Sequence, residues 1–243
     1  MNLGNSDPIY TLYQLLYERY GPQGWWPLYK LRQENGDTEA LRKGYHIGEY
    51  KLPQTPLEQF EIAIGAILTQ NTTWLSVEKA LDHLVKTEAI DPKILLKMSD
   101  EKLKEIIRPC GYHNQKSGYV KNFTRFFLEL NDRTPDRKSL LEIKGIGPET
   151  ADSILLYGYK QPEFVIDTYT RRVFEKLNLC SARSSYEQLK KQIEEALEGS
   201  LTSESQKVRL YQEYHALLVR HAKLFYSKKP HGSTCPLATQ YKN

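Results

Sequence analysis

The chain has 243 residues, 40% of them hydrophobic and 26% charged, which is enough apolar material for the core of one or two domains. Its 34 lysines and arginines against 30 acids leave a net charge of +4, compatible with a polyanionic partner but not diagnostic of one. The three cysteines, Cys110, Cys180 and Cys235, are odd in number and far apart, which excludes a disulfide framework and a complete thiolate metal centre.

Apolar residues recur at helical spacing over residues 9–20, 57–69, 74–85, 118–130, 138–143, 149–159, 169–177, 186–196 and 207–225. Thr55-Pro56, Asp91-Pro92 and Ser99-Asp100 read as helix entries, and Gly111, Gly158 and Gly199 as exits. No series of alternating strands is visible, so the expected fold is all-α. Residues 21–55 are the least regular stretch. They carry the adjacent Trp25 and Trp26, whose rings need apolar cover. No run approaches the ~18 apolar residues of a membrane span, and no basic segment leads into an apolar one near the start. The expectation is a soluble, cytoplasmic protein without a membrane partner.

Two features carry chemistry. In Lys144-Gly145-Ile146-Gly147-Pro148, two glycines permit tight backbone, Ile146 can anchor the turn, and Pro148 suits a first helical position. The unpaired amides of such a turn and helix start form a seat for a phosphate oxygen, although a plain glycine turn between helices reads the same way. Downstream, Ile166-Asp167-Thr168 places a carboxylate before the helix at 169–177, where it can cap that helix, act on a ligand, or both.

With this spacing the sequence resembles the helix-hairpin-helix DNA glycosylase superfamily, best known from endonuclease III. The resemblance runs from about Leu57 to Leu237 and rests on Leu140 to Gly147 followed by Val165-Ile166-Asp167-Thr168. It implies a helix-hairpin-helix motif and two helical domains flanking a cleft, with residues 52–160 as a helical barrel and residues 1–51 and 161–243 as the second domain. It makes Asp167 the catalytic carboxylate and Gln70, in Ile67-Leu68-Thr69-Gln70-Asn71-Thr72, a residue that enters the gap left by an extruded nucleotide. The loop Gly111 to Lys116 resembles the second insertion, so His113, Asn114 and Lys116 join Lys144, Gly145 and Gly147 as expected DNA contacts, with Arg171 a further phosphate candidate.

Bifunctional members of the superfamily carry a Schiff-base lysine where this chain has Glu149, which cannot form an imine. Many also bind an iron–sulfur cluster through four cysteines; the corresponding positions here are Phe225, Gly232, Cys235 and Tyr241, so no cofactor is expected. A subgroup lacking lysine and cluster, the endonuclease III-like 3-methyladenine DNA glycosylases, carries Trp-Trp-Pro, matched by Trp25, Trp26 and Pro27. Phe60 matches a pocket aromatic, and Lys223 lies near a lysine that is carbamylated in that subgroup.

An N3-methylated adenine is cationic, so stacking between electron-rich rings can select it and its departure needs no general acid. The resemblance therefore implies a monofunctional, monomeric glycosylase that acts on double-stranded DNA containing alkylated bases, chiefly 3-methyladenine. An endonuclease III-type glycosylase/lyase for oxidised pyrimidines and a noncatalytic DNA-binding module remain alternatives.

Overall fold

A computed structural model describes residues 7–33, 35–199 and 203–238. In chain order its α-helices are α1 (Pro8–Tyr20), α2 (Glu39–Arg42), α3 (Pro56–Leu68), α4 (Trp74–Lys86), α5 (Pro92–Lys97), α6 (Asp100–Ile106), α7 (His113–Leu130), α8 (Arg137–Leu141), α9 (Pro148–Ser153), α10 (Thr168–Lys176), α11 (Tyr186–Glu198) and α12 (Glu204–Phe225). No strand occurs among the described residues, and the fold is all-α with a helix-hairpin-helix. The chain divides into two units, residues 26–160 and residues 1–25 with 161–243.

The 26–160 unit is built on α3. Thr55 and Glu58 close a capping box at its start, with Pro56 at the first turn, and every residue from Phe60 to Leu68 is buried. A helix apolar on all sides belongs at the centre of its unit, and α3 packs on α7, α9 and the π-helical turn Ile154–Gly158 that continues α9. Phe60, with no exposed surface, stacks on Phe123 at 6.2 Å and meets Phe127 at 5.0 Å. Asp91 and Ser99 cap α5 and α6 as expected, though both helices are too short to show a period.

Residues 26–51, expected with the terminal segments, belong instead to this unit. The reason is a buried acid. Glu61, 1% exposed on α3, accepts hydrogen bonds from the Tyr29 and Lys30 amides and holds the turn Tyr29–Leu31 to the helix. Trp26 packs edge-on against Trp74 at 5.2 Å and beside Tyr157 at 5.3 Å, over Gly65, where any larger side chain would meet its indole.

The other unit joins both ends of the chain. Ile9, Leu12 and Leu16 of α1 are buried, and α1 packs on α11 and α12. Tyr214 of α12 donates its hydroxyl to the Ile9 carbonyl at 2.8 Å and sets its ring edge-on to Tyr13 and Phe164. The extended segment before α10 is held by acids and a phenol: the Phe164 amide donates to Glu194 at 2.9 Å, the Ile166 amide to the Tyr186 hydroxyl, and Lys190 pairs with Glu163 and Glu194.

Candidate active site

Asp167 is the N-cap of α10. Its backbone is extended, at φ −88° and ψ 176°, and its Oδ1 accepts from the Thr170 amide at 2.6 Å. Its Oδ2 lies 3.7 Å from Nε2 of His215 on α12. The Asp167 side chain remains 14% exposed, whereas that of His215 is 6% exposed. Burial works to raise the Asp167 pKa, but His215 and the Thr170 amide outweigh it and hold the carboxyl below the usual aspartate range. The result is a fixed, ionised carboxylate at a helix start.

His215 escaped the sequence reading because nothing local links it to Asp167. The one trace is a polar trio, Gln212, Glu213 and His215, buried within an otherwise apolar stretch of α12.

The hairpin lies between α8 and α9. Arg137 at the start of α8 grips Asp152 of α9 with two bonds, at 2.6 and 3.2 Å, and Asp152 has no exposed surface. Gly145 has φ +101°, and a Cβ there would sit 2.1 Å from the Tyr119 ring, so glycine is required on both counts. Gly147 differs. Its φ is −97°, available to any residue, and a Cβ there would meet nothing within 4 Å. The protein leaves space above Gly147 that its own fold does not use, at the N-cap of α9 and before Pro148, which has no amide hydrogen of its own. Lys144 is exposed beside it, and Glu149 is exposed in the first turn of α9.

Gln70 is turned toward this hairpin: its Nε2 donates to the Gly145 carbonyl and to the Thr150 hydroxyl. In the 111–116 loop, Asn114 is exposed and His113 half-buried. Tyr112, the preceding residue, stands 65% exposed in a left-handed conformation at φ 46°.

Three expected contacts are corrected. Lys116 is 2% exposed, and its Nζ donates to the carbonyls of Leu68 and Cys110 at 2.8 and 2.9 Å, so it ties the end of α3 to the turn before α7 and is withdrawn from the surface where a phosphate would bind. Burial lowers its pKa, with Cys110 opposing. Arg171 is occupied by the Ser184 carbonyl at 2.8 Å. Phe60 is core, enclosed by Phe123 and Phe127. Trp26 and Pro27 are buried as well, while Trp25 is half-buried in the unit of both termini.

Lys223 is exposed, with its Nζ 6.0 Å from the centre of the Trp25 ring, a cation over an indole face. A four-thiolate cluster does not fit the C-terminal loop. Cys235 is buried with its Sγ 3.2 Å from His221 Nε2, and His221 Nδ1 lies 2.9 Å from the Tyr20 hydroxyl. Gly232, at another ligand position, is crowded by Tyr226, and Tyr241 lies outside the described residues. Among the described residues no helix is long and apolar enough to cross a membrane.

Residues 64–199 match the family described as HhH-GPD superfamily base excision DNA repair protein. The chain is 35% identical to "Putative DNA repair glycosylase MJ1434" of Methanocaldococcus jannaschii, over 98% of this chain and 97% of that protein. It is 32% identical to endonuclease III of Sulfolobus acidocaldarius, over 85% and 89% of the two chains. Among solved structures it resembles the H. pylori 3-methyladenine DNA glycosylase bound to 1,N6-ethenoadenine, with a TM-score of 0.61 and 26% identity over 70% of this chain and 89% of that one. It also resembles endonuclease III in a non-covalent DNA complex, with a TM-score of 0.69 over 95% and 92% of the chains; at 17% identity that likeness speaks to the fold.

Proposed function

The chain belongs to the HhH-GPD superfamily of base excision DNA repair proteins, and from that premise we propose that it is a monofunctional glycosylase releasing alkylated purines, chiefly 3-methyladenine, from double-stranded DNA. The observation that carries this reading is the seat of Asp167, a partly exposed carboxylate whose ionised form Thr170 and His215 favour. Breaking an N-glycosidic bond builds positive charge on the sugar. A preorganised anion lowers that barrier and can orient the water that takes the C1′ position. Because the methylated purine is already cationic, it leaves as a neutral base and needs no acid.

The hairpin supplies the hold on DNA in this reading. The amides at Gly145 and Gly147 and the start of α9 receive one phosphate oxygen, with Lys144 adding charge. Tyr112, exposed on its loop, is the side chain best suited to fill the duplex where the base has left, near His113 and Asn114. Trp25, half-buried beside the Lys223 ammonium, offers an aromatic face for the base.

Substrate class rests on two points. Glu149 stands where a Schiff base would need an amine, and the solved relative at 26% identity is a 3-methyladenine glycosylase. The test is chromatography of bases freed from dimethyl sulfate-treated DNA by the wild type and by Asp167→Asn. Release of 3-methyladenine by the wild type, with none from the variant and DNA binding preserved, supports the reading. The likeness to endonuclease III at 32% identity favours a second one, a glycosylase/lyase on oxidised pyrimidines. Borohydride trapping on abasic-site DNA separates the two, since a covalent adduct would sink the monofunctional assignment.

A further inference from the structure

We propose that His215 is the positioning residue of this site: with the Thr170 amide on Oδ1, its Nε2 beside Oδ2 fixes the Asp167 carboxylate at both oxygens. This rests on Asp167 being the group that acts on the sugar, and it deepens that reading by assigning a partner from α12.

A capped aspartate held at one oxygen can still rotate about its last bond, and a carboxylate that must face a sugar cannot be free to turn. The Thr170 amide restrains Oδ1 at 2.6 Å, within α10 itself. A further restraint comes from elsewhere in the unit, on α12, which packs on α10. His215 is 5% exposed, so its own position is set by packing rather than by solvent. Its flanks agree: Tyr214 is locked to Ile9 through its hydroxyl, and Glu213 accepts the Gln23 amide at 2.8 Å. The imidazole therefore directly follows two residues that pin α12, and 3.7 Å is a separation that closes to a hydrogen bond with a small shift on ligand binding. An imidazole that merely filled space in α12 would bear no relation to the exposed edge of a cap on another helix.

The test uses full-length protein and dimethyl sulfate-treated duplex DNA under single-turnover conditions, beside Asp167→Asn. His215→Leu keeps the volume and removes the donor. It is expected to lower the rate of base release about 100-fold, the cost of a misplaced catalytic group, with affinity for a tetrahydrofuran abasic-analogue duplex unchanged. His215→Gln returns a donor near the Nε2 position and is expected to restore the rate to within about 5-fold of wild type, which a purely space-filling role does not explain. If His215→Leu turns over like wild type while Asp167→Asn is dead, the inference falls and the reading stands; loss in the glutamine variant equal to that in the leucine variant also overturns it. If the wild type frees no base, or Asp167→Asn matches it, the reading fails. Carbon NMR of the Asp167 carboxyl then decides the inference by itself: a titration midpoint raised in His215→Leu sustains the pair, and an unmoved midpoint refutes it.

Discussion

Gln70 and Gly145 are joined directly: the Gln70 side-chain amide donates to the Gly145 carbonyl at 2.8 Å and, on the same nitrogen, to the Thr150 hydroxyl at 3.0 Å. A residue expected to enter DNA thus braces the hairpin expected to hold the backbone. Gln70→Ala should cost about 1 kcal/mol of stability for the lost bonds and, in addition, weaken binding to an abasic-analogue duplex. Urea denaturation and fluorescence anisotropy read the two effects; unchanged affinity would confine Gln70 to bracing.

The two hairpin glycines should part company on mutation. Gly145→Ala forces a β-carbon into the Tyr119 ring at a positive φ, and is expected to cost about 2 to 3 kcal/mol with some loss of folded protein. Gly147→Ala meets open space at an ordinary φ, so it should fold like wild type, within about 0.5 kcal/mol, yet bind DNA more weakly because the methyl group stands where the backbone would approach. Full DNA affinity in folded Gly147→Ala would remove the phosphate from that turn.

Lys144 and Lys116 make a matched pair of opposite kinds. Neutralising exposed Lys144 with glutamine should weaken DNA binding for every sequence and reduce the slope of log affinity against log salt by about 1. Lys116→Met should leave that slope alone while destabilising the fold by about 1 to 3 kcal/mol, since the Leu68 and Cys110 carbonyls lose their donor. A salt series with each variant reads both. A reduced slope for Lys116→Met would mean that the buried ammonium is reached by DNA.

The contributions of Glu61 and His221 to stability should nearly cancel between pH 4.5 and 6.5, for a reason that mutation exposes. Burial pushes Glu61 up from 4.5 to about 7, against the Tyr29 and Lys30 amides, so the folded state keeps a proton that the unfolded chain releases; its contribution is full below pH 4.5 and lost as pH rises to 7. Burial, with Arg19 adding, pulls His221 down from 6.5 to about 4, so its contribution is full above pH 6.5 and lost as pH falls to 4. Each shift corresponds to about 3 kcal/mol, and the two oppose each other. Glu61→Gln should make stability climb by about 2 to 3 kcal/mol from pH 4.5 to 6.5, and His221→Gln should make it fall by a similar amount, as read by urea denaturation at both pH values. Because the two groups lie in different units, separate unfolding transitions would carry the opposite slopes individually.

The helices and the hairpin were legible because their signals are local: capping residues at Thr55, Asp91 and Ser99, an apolar period, and two glycines before a proline. Asp167 was legible for the same reason, as a cap a set number of residues after the hairpin in the sequence. What escaped was decided by distant partners. Lys116 reads as a surface cation until α3 supplies the Leu68 carbonyl, and Phe60 reads as a pocket wall until α7 supplies two phenylalanines. The start of α7 at His113 was hidden because its first turn is polar. His215 belongs with them: its meaning lies in a helix far along the chain, and no window of sequence contains both members of the pair.

The bond from Tyr214 to Ile9 spans 205 positions, and that from His221 to Tyr20 spans 201. Closure of such long loops comes late, since the entropy of bringing the ends together precedes any reward. On the ribosome, α10 emerges before α12, so a growing chain can cap its aspartate but cannot yet clamp it. A stalled or proteolysed product lacking α12 would still display the glycine turn while its carboxylate swung loose. Under the proposed function, such a fragment would hold DNA without releasing a base, and turnover would wait until α12 has been made.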